Sequence, residues 1–398
     1  MNLSSILNIT KRELKFILTT KSRIILLFIV PLVVYFFVTY IYSNQIIHDV
    51  PVAVLDEDNT ELTRTITRFV DASASMKVVY RAKSSDEINE LILNGDIEAA
   101  FHFPNNLTAD IKRGGESKVN ILISSRNIVY GNLLFKAASE VIITVSSGIM
   151  LKKFGADGMP IAQSMDLVMP FRMNKKALYN PNYDYMQYLA PGLLTVLFQM
   201  ILMFAGTSAI NTEFNEKKSN KGIFELLEIA KSKILNIIFG KALAYVIVSI
   251  FPALLILLIV FPTMGIIVYG NTFIIFLYLL FFALVSASLG LLLSSIFLEN
   301  VMALDIAFFY NSPAFVFSGF TFPAWALPIY DQFYAQIIPY TQFIVGFIKL
   351  YQMNTPLSFI LPHLLILTIF LFVGIVGSYL ALSFQVKKLN NQLSTVIS

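Results

Sequence analysis

The sequence contains no cysteine, so neither disulfide bonds nor thiolate metal sites can contribute to its structure. Histidine is scarce as well, because only His48, His102 and His363 occur, far apart and outside any HExxH zinc motif. The chain also lacks the GxxxxGK[ST] loop that cradles nucleotide phosphates. Its Gly-Lys pair, Gly240 and Lys241, has neither the upstream glycine nor the following hydroxyl residue. These absences argue against a zinc hydrolase and against a chain that binds ATP by itself.

Charged residues are also few, at 14% of the 398 residues. Hydrophobic residues make up 56% and the mean hydropathy is +0.71, which is far too apolar for a soluble protein of this size. A helix needs about 20 mostly apolar residues to cross the hydrocarbon core of a membrane. The sequence predicts six such membrane-spanning helices, at residues 24–42, 189–210, 242–261, 273–297, 301–317 and 359–384.

The distribution of basic residues predicts the orientation in the membrane. Five basic residues and one acid, Glu13, precede the first run, and this balance places the amino terminus in the cytoplasm. Six crossings return the carboxyl terminus to the same side, where Lys387 and Lys388 follow the last run. The first run is too long for a cleaved signal peptide and lacks a small-residue cleavage site, so we expect it to remain as an anchor. The net charge of +4 then reflects membrane orientation, and no nucleic-acid partner is expected.

The expected fold is a polytopic α-helical membrane protein with six transmembrane helices and an inserted mixed α/β extracytoplasmic domain. Residues 1–23 carry one apolar stripe, which predicts an amphipathic helix on the cytoplasmic membrane surface. This stripe contains Leu3, Ile6, Leu7, Leu14, Ile17 and Leu18. The remaining expected parts are the first span at 24–42, the extracytoplasmic domain at 43–185, a five-helix transmembrane domain at 186–384 and a cytoplasmic tail at 385–398. The five-helix domain includes a cytoplasmic loop at 211–241 and an outer segment at 318–358.

The segment 43–185 alternates short β-type runs with helical ones, which predicts a mixed α/β domain. Strands are expected at 52–55, 77–80, 99–103 and 119–123, and helices at 61–70, 85–93 and 128–154. Asp56, Glu57 and Asp58 follow the first strand and could hold a metal ion or cap the next helix. The spaced ligands of a calcium loop are missing, which favours capping.

Two features of the membrane region are candidates for the transport path. Residues 318–358 are largely apolar although the topology places them outside, and prolines interrupt them. Irregular backbone at membrane depth is tolerated only when it is buried in protein or lines a cavity, so we expect this segment to re-enter the membrane as part of an outer gate. Asp305 lies within the fifth run, where an ionisable group is costly. It lines the pathway, or it reaches toward water or pairs with a lysine of a neighbouring helix.

The loop after the second span has apolar residues at helical spacing, which predicts an amphipathic helix with a charged face toward the cytosol. This loop resembles that of the type-2 permeases of ATP-binding-cassette exporters, with an acidic stretch, a Gly-Thr-x-Glu-x-Leu pattern and a later Gly-Lys pair. Ile223 stands in place of the usual threonine and Lys231 in place of the usual proline. The corresponding residues are Glu213 and Glu216 in the acidic stretch, then Gly222, Glu225, Leu227, Gly240 and Lys241.

A second pattern is similar to the same family. The family signature Ser-Gly-Phe-x-Phe-Pro, followed by Met-Pro and Leu-Pro, has a counterpart here in which Leu327 replaces the methionine. The residues that carry it are Ser318, Gly319, Phe320, Phe322, Pro323, Pro328 and Pro339. The resemblance covers the whole chain, including the large domain that one subgroup places between its first two spans.

The resemblance implies the permease subunit of an exporter in the bacterial plasma (inner) membrane, moving a hydrophobic or amphipathic cargo. The 211–241 loop would supply a coupling helix that fits a separate ATPase subunit, and ATP and Mg would bind to that subunit rather than to this chain. Further implied partners are a second permease, membrane lipid and a periplasmic adaptor protein. From the residues alone, a membrane-anchored receptor acting through its extracytoplasmic domain is the alternative. The nature of the cargo is left open.

Overall fold

The structure is a computed structural model that describes residues 2–41, 47–171, 178–180, 184–214 and 221–397, without the side chains of Lys221 and residues 393–397. The chain divides into two compact units. Unit 1 comprises Met1–Gln45 and Ala177–Ser398, and unit 2 comprises Ile46–Lys176. The predicted domain boundaries at 43 and 185 remain predictions.

The chain begins with two helices of unit 1, α1 (Leu3–Thr19) and α2 (Lys21–Ile41). Asn2 caps α1 by accepting a hydrogen bond from the backbone N–H of Ser4. The predicted single apolar stripe of α1 divides into two faces. Ile6 and Ile17 are buried in unit 1, whereas Leu3, Leu7 and Leu18 are exposed. One face of α1 therefore packs on the protein and a second face stays available for lipid.

Unit 2 is a four-stranded sheet with helices on both faces. Its strands run in the order β2-β1-β3-β4, with β1 parallel to β2 and β3, and β3 antiparallel to β4. The elements are β1 (Val50–Asp56), α3 (Glu61–Asp71), β2 (Met76–Ala82), α4 (Ser85–Asn94), β3 (Ala99–Phe103), α5 (Leu107–Lys112), β4 (Asn120–Ile123), α6 (Ile128–Ala156) and α7 (Ile161–Val168). All four predicted strands and the three predicted helices of this region are present.

Alternation along the strands divides the core of unit 2 into two layers. Val52 and Val54 of β1 point into the layer covered by α3 and α6, whereas Ala53 and Leu55 point into the layer covered by α4. The acids after β1 shape the turn into α3. Asp56 accepts hydrogen bonds from the Asn59 backbone N–H and the Thr63 hydroxyl, and Asp58 accepts from the hydroxyls of Thr60 and Thr108. The N-cap of α3 is Thr60 and not one of the acids, so the predicted capping by an acid is wrong; the acids instead accept hydrogen bonds from the groups around the cap.

The remainder of unit 1 is helical. Its elements are α8 (Tyr185–Thr207), α9 (Asn211–Phe214), α10 (Lys221–Ile229), α11 (Ile234–Thr263), α12 (Thr272–Ile296), α13 (Asn300–Asn311), α14 (Ala314–Phe317), α15 (Ile329–Gln336), α16 (Pro339–Tyr351) and α17 (Leu361–Ile397). The central helix α12 packs against α8, α11, α16 and α17. Close approach to α8 depends on glycine, because a Cβ on Gly290 would lie 2.9 Å from the Cα of Gly206.

Six helices of the described residues are long and apolar enough to cross a membrane, which matches the predicted number. Five of them are α2, α8, α11, α12 and α17, which contain most or all of the corresponding predicted runs. The sixth is α6, whose Leu134 and Val141 are buried against the sheet of unit 2. The predicted fifth span, 301–317, is instead divided into α13 and α14 at Pro313, because proline interrupts helical hydrogen bonding. Together these two helices cover 300–317, about 27 Å at 1.5 Å per residue.

Candidate functional site

A buried cluster of charged side chains lies at the end of unit 1 where α1, α9, α10 and α11 meet. Three cations face three carboxylates, so the charges within the cluster balance. The members are Arg12 and Glu13 of α1, Arg23 of α2, Glu213 of α9, Glu225 of α10 and Lys241 of α11. The cluster joins segments that are more than 200 residues apart in the sequence.

Lys241 is the centre of the cluster and is fully buried, at 0% exposure. Its ammonium group donates to a carboxylate oxygen of Glu13 and, at 2.9 Å, to Glu213 Oε1. Removing an ammonium group from water costs several kcal/mol, and paired carboxylates offset that cost only when the geometry is good. A lysine without solvent access therefore requires both partners, which fixes α11 to α1 and α9 at this point.

Glu13 is also almost fully buried, at 1% exposure, and accepts from three donors. Arg23 Nη1 lies 2.7 Å from Glu13 Oε1, and the Tyr245 hydroxyl donates to the same oxygen at 3.0 Å. Burial alone would raise the pKa of Glu13, but Lys241 and Arg23 together outweigh it and hold the pKa below its usual value. Arg23 Nη2 also donates to the backbone carbonyl of Ser208 at 2.8 Å, which ties α2 to the end of α8.

Glu213 forms the second half of the cluster with Arg12. The guanidinium contacts both carboxylate oxygens, at 2.7 and 3.0 Å, in the bidentate arrangement that gives strong charge-assisted hydrogen bonds. Hydrogen bonding to Glu213 raises the pKa of Arg12 above its ordinary range. Arg12 Nε also lies 3.5 Å from Glu225 Oε1, and the Glu225 side chain is 59% exposed. Arg12 thus connects the buried cluster to a carboxylate on the surface of α10.

Two glycines let the helices around the cluster approach closely. A Cβ on Gly240 would lie 2.7 Å from the Cβ of Ile9, so only glycine permits this contact between α1 and α11. The Thr10 hydroxyl donates to the Gly240 carbonyl at 2.9 Å across the same contact. Likewise, a Cβ on Gly222 would lie 2.9 Å from Glu213 Oε2. Both glycines of the resemblance therefore have a packing reason in this chain.

The helix α10 has one buried face and one exposed face. Ile223 and Leu226 are buried in the core of unit 1, and Leu227 packs at its margin. Phe224, Glu225 and Glu228 are exposed. This helix has the amphipathic form that the sequence predicts, and its exposed side offers one aromatic ring and two carboxylates to a partner.

The turn after α10 explains one departure from the family pattern. Lys231 and Ser232 adopt left-handed backbone conformations, with φ of 53° and 57°. Proline fixes φ near −65°, so the proline usual in the family cannot occupy position 231 in this turn. The buried Asn236 amide holds the turn by donating to the Ala230 carbonyl at 3.1 Å, and its Oδ1 accepts from the Asn2 backbone N–H at 3.2 Å.

At the opposite end of α8, the residues from Ser318 onward form a tight turn. Gly319 has φ of 79°, a conformation that favours glycine, and Ser318 is buried. The Phe320 ring stacks on Tyr188 at 5.1 Å between centroids and occupies the space that a side chain at Gly192 would need. The Tyr188 hydroxyl donates to the Phe320 carbonyl at 2.6 Å. A cavity of about 310 Å³ adjoins this turn, lined in part by Gln187, Ile344 and Tyr351.

The prolines of this segment mark helix boundaries. Pro328 is the N-cap of α15 and Pro339 is the first residue of α16, positions where a missing N–H costs nothing. Phe322 and Pro323 precede a short 3₁₀ turn with Trp325 at its centre, which is 82% exposed. The exposed rings here suit an interfacial position, and entry into the membrane remains a prediction.

Asp305 lies on the exposed face of α13, beside Val301, Phe308 and Phe309. It forms no ion pair with any side chain in the described ranges, so the predicted alternative of a lysine partner from a neighbouring helix is not seen within them. Glu216, which follows Glu213 in the acidic stretch of the loop, lies outside the described residues.

Sequence reasoning missed Arg12, Glu13, Arg23 and Tyr245 as members of the cluster. Glu13 did carry a signal, because it stands four residues before Ile17 and so interrupts the apolar stripe of α1. An acid on the buried face of an amphipathic helix requires a cation opposite it. The position of that cation, 228 residues away, could not be read from the sequence.

Comparisons with known proteins give one family and several relatives. Residues 21–380 match the family described as ABC-2 family transporter protein. The chain is similar to the probable multidrug ABC transporter permease YbhR of Escherichia coli strain K12 and of strain O157:H7. In each case the identity is 23% over 293 residues, which is 73% of this chain and 75% of the relative. It is also similar to ABC transporter G family member 20 of Dictyostelium discoideum, with 25% identity over 162 residues, 41% of this chain and 22% of that protein.

Proposed function

The chain belongs to the ABC-2 transporter family, and on that premise we propose that it is the permease of an ATP-driven exporter, coupled to its ATPase subunit through α10. It is a multi-pass membrane transport subunit and not an enzyme. Membership of this family implies an ATPase partner and decides against the receptor alternative. The observation that carries the coupling proposal is the buried cluster that fixes α9 to α1 and α11, beside which the apolar face of α10 is packed into the core of unit 1.

The first step of coupling is contact between the ATPase and the exposed face of α10. Phe224 provides apolar area, and Glu225 and Glu228 provide charge for recognition of basic groups on the partner. ATP and Mg would bind to the ATPase, whose closure would displace α10. The buried face of α10 cannot slide independently, because Ile223 and Leu226 are held in the core of unit 1.

The second step is transfer of that displacement into the membrane helices. Two backbone N–H groups beyond the end of α8, from Ile210 and Asn211, donate to the Ser294 hydroxyl of α12 at 2.8 and 3.0 Å. Farther along α12, the Phe282 ring stacks on Phe343 of α16 at 3.8 Å between centroids. Packed helices of this kind move as rigid bodies with small shifts rather than by continuous bending. We infer that α12 carries motion from the cluster toward α16 and the Phe320 turn.

The third step is release of cargo at the far end. The 310 Å³ cavity beside Phe320 is lined by aromatic, aliphatic and amide side chains, which suits a hydrophobic or amphipathic molecule. The name of the Escherichia coli relatives, a probable multidrug permease, is compatible with such a cargo. In this reading the outer segment, residues 318–358, forms the outer gate.

A second permease would complete the pathway at the exposed face of α13. An ionised carboxylate in hydrocarbon is costly, so Asp305 is expected to face protein or water rather than lipid. Large apolar side chains surround it, among them Phe308 and Phe309. Self-association through this face would bring two Asp305 residues to one interface that water can reach from the pathway.

The proposed setting is the bacterial plasma membrane, with both termini and α10 in the cytoplasm and unit 2 outside. Membrane lipid would contact the exposed face of α1, and a periplasmic adaptor is a further candidate partner of unit 2. The basic residues at the amino terminus and in the 211–241 loop support this orientation.

The test reverses the charge of Glu225 in a complex of this protein with its ATPase subunit. Because Glu225 is exposed and its pairing with Arg12 is long, reversal should cost the fold no more than about 1 kcal/mol. Like charges at a docking surface can cost several kcal/mol, so Glu225→Lys should reduce co-purification of the ATPase and cargo-stimulated hydrolysis by about a hundredfold. Glu116→Lys, an exposed reversal in unit 2, serves as the control. Wild-type assembly and stimulation in Glu225→Lys would show that α10 does not make the coupling contact.

A further inference from the structure

The outer edge of strand β2 in unit 2 is unpaired. The sheet order is β2-β1-β3-β4, so β2 pairs with β1 on one side only and faces no other strand of the described residues on the other side. An open edge presents backbone donors and acceptors that can pair with a strand from another chain. The open part of this edge lies beyond a bulge at Val79 and consists of Tyr80, Arg81 and Ala82.

A groove of about 960 Å³ runs between this edge and helix α3. Arg64 and Arg68 of α3 lie along one wall, Tyr80 and Arg81 of β2 lie along the other, and the buried Val54 is part of the lining. The volume is at the upper end of the range for small-molecule pockets, about 300–1,000 Å³. An open groove of this size beside a strand edge suits a segment of polypeptide.

The groove has a net positive charge, because four cations line it and only two acids, Asp56 and Asp71, do so. Arg64, Arg68, Arg81 and Lys83 all line it. None of these four forms an ion pair with a carboxylate in the described ranges. Arg64 and Arg68 donate only to oxygens of neighbouring residues in their own helix and turn. The uncompensated charge predicts an acidic ligand.

The two acids of the groove are already engaged within unit 2. Asp56 accepts hydrogen bonds from Asn59 and Thr63, and Asp71 accepts from the backbone N–H of Val78 at 3.0 Å. The Asp71 carboxylate thus already occupies the backbone N–H of Val78, which an incoming strand could otherwise use. A bulge follows at Val79, which lies between the residues paired with Val52 and Ala53. These features direct an incoming strand to the part of β2 beyond the bulge.

We propose that the groove between α3 and β2 binds an extended acidic segment of a partner protein, which adds to the outer edge of β2. The main chain of that segment pairs with the backbone edge beyond Val79. Its acidic side chains face Arg64, Arg68, Arg81 and Lys83, and its alternate apolar side chains cover Val79 and Tyr80, which are 47% and 42% exposed. Strand addition accounts for the open edge and the cations together, whereas a compact anion would use only the cations.

The test uses the whole chain in nanodiscs of zwitterionic lipid and a fluorescent peptide of about seven residues with alternating glutamate and valine, long enough to cover the edge residues Tyr80 to Ala82 and about two further positions on each side. A second peptide of the same sequence carries N-methyl groups at alternate positions, so that it keeps the charge and loses the backbone donors. Fluorescence anisotropy should show binding of the first peptide that weakens as salt is raised. The N-methylated peptide should bind at least about tenfold more weakly, because main-chain hydrogen bonds supply much of the affinity in strand addition.

Two protein variants locate the site. Arg68→Glu combined with Arg81→Glu should weaken peptide binding by at least about tenfold, because both walls of the groove then repel the ligand. Lys118→Glu, an exposed reversal elsewhere in unit 2, should change the affinity by less than about twofold. Since the natural chain has no cysteine, Val79→Cys allows disulfide cross-linking to a peptide that carries one cysteine. Cross-linking should be faster than for a cysteine placed at Lys118.

Several outcomes would overturn the proposal. Absence of peptide binding, or equal affinity of the Arg68→Glu, Arg81→Glu variant and the natural protein, would remove the groove as the site. Equal binding of the two peptides, or competition by inorganic polyphosphate at equal charge concentration, would identify a general polyanion surface instead of a strand-addition site. Binding that requires vesicles with anionic phosphatidylglycerol would identify a lipid surface. None of these measurements depends on ATPase coupling, so they separate this proposal from the proposed function.

Discussion

Replacing Lys241 with methionine removes the centre of the buried cluster and leaves the surrounding packing nearly unchanged in volume. Glu13 and Glu213 then lose the ammonium group that they share. Glu13 keeps Arg23 and Glu213 keeps Arg12, so each carboxylate still has one cation. What the variant loses specifically is the connection between α11 and the two acids.

The size of the effect has an upper limit set by protonation. Breaking a buried ion pair costs about 3–5 kcal/mol, because an uncompensated charge remains inside the protein. Glu13 can escape that cost by taking up a proton. At pH 7, which lies about 2.5 pH units above its ordinary pKa of 4.5, protonation costs about 3.4 kcal/mol at 1.36 kcal/mol per unit. We therefore expect Lys241→Met to weaken the docking of α1 by about 3 kcal/mol.

Thiol labelling measures this docking directly, because the natural chain has no cysteine. Thr10 is buried where α1 contacts Gly240 of α11. A cysteine at this position, Thr10→Cys, should therefore react only when α1 moves away from α11. A loss of 3 kcal/mol raises the population of the open state, and hence the labelling rate, by about a hundredfold. Lys233→Met, which removes an exposed lysine just before α11, is the matched control and should leave the rate unchanged.

The second arm of the experiment is the double variant Glu13→Gln with Lys241→Met. In the double variant the charges of the cluster balance again, because Arg12 and Arg23 then face the carboxylates of Glu213 and Glu225, so labelling should be slower than in Lys241→Met alone. Cargo-stimulated hydrolysis by the ATPase should decline in parallel with the loss of docking. A Lys241→Met variant with a natural labelling rate would refute the view that this cluster fixes α1 to α11.

Three further predictions concern the same region and the topology. Gly240→Ala, whose methyl group would lie 2.7 Å from the Cβ of Ile9, should weaken docking of α1 by about 1–3 kcal/mol in the labelling assay, and Ile9→Ala should restore it only in part, because alanine retains that Cβ. Because the folded pKa of Glu13 is lowered, its contribution to stability is complete above pH 4.5 and is lost as the pH falls through the folded value. The thermal midpoint should show this drop, and the drop should be smaller in Glu13→Gln, where Glu213, whose pKa is lowered to about 2, still contributes. Single cysteines at Asn105 and Lys233 should react with an impermeant thiol reagent from opposite sides of the membrane, and labelling from one side would contradict the topology.

The elements that the sequence predicts well are those whose signal is local. Five spans follow from the length of their apolar runs, and the strands of unit 2 follow from alternation over a few residues. The division of the fifth run was not predicted, although Pro313 lies inside it and is the local signal for it. Length and hydropathy alone do not distinguish α6 from a span. Its place against the sheet depends on burial of Leu134 and Val141, which is a tertiary property.

The candidate site is predicted less well, because its contacts join residues that are far apart in the sequence. The family pattern indicates Gly222, Glu225 and Lys241, but it gives no reason to expect that Lys241 is buried. That burial depends on Glu13, which lies in a segment that the sequence assigns to the membrane surface. Electrostatic pairing over such a distance has no periodicity, so neither hydropathy nor helical spacing reports it.

The long separation within the cluster has a consequence for biogenesis. Glu13 and Arg23 leave the ribosome early, but Lys241 follows Glu13 by 228 residues, which takes about 10 to 50 s at 5–20 residues per second. During that interval α1 has no docking site, and its acid must remain hydrated or paired with Arg23 alone. The first helix to be synthesised is thus placed only after the third predicted span has begun to emerge. A chain truncated before Lys241 would leave α1 undocked, exposing a charged and apolar helix that quality-control proteases can recognise.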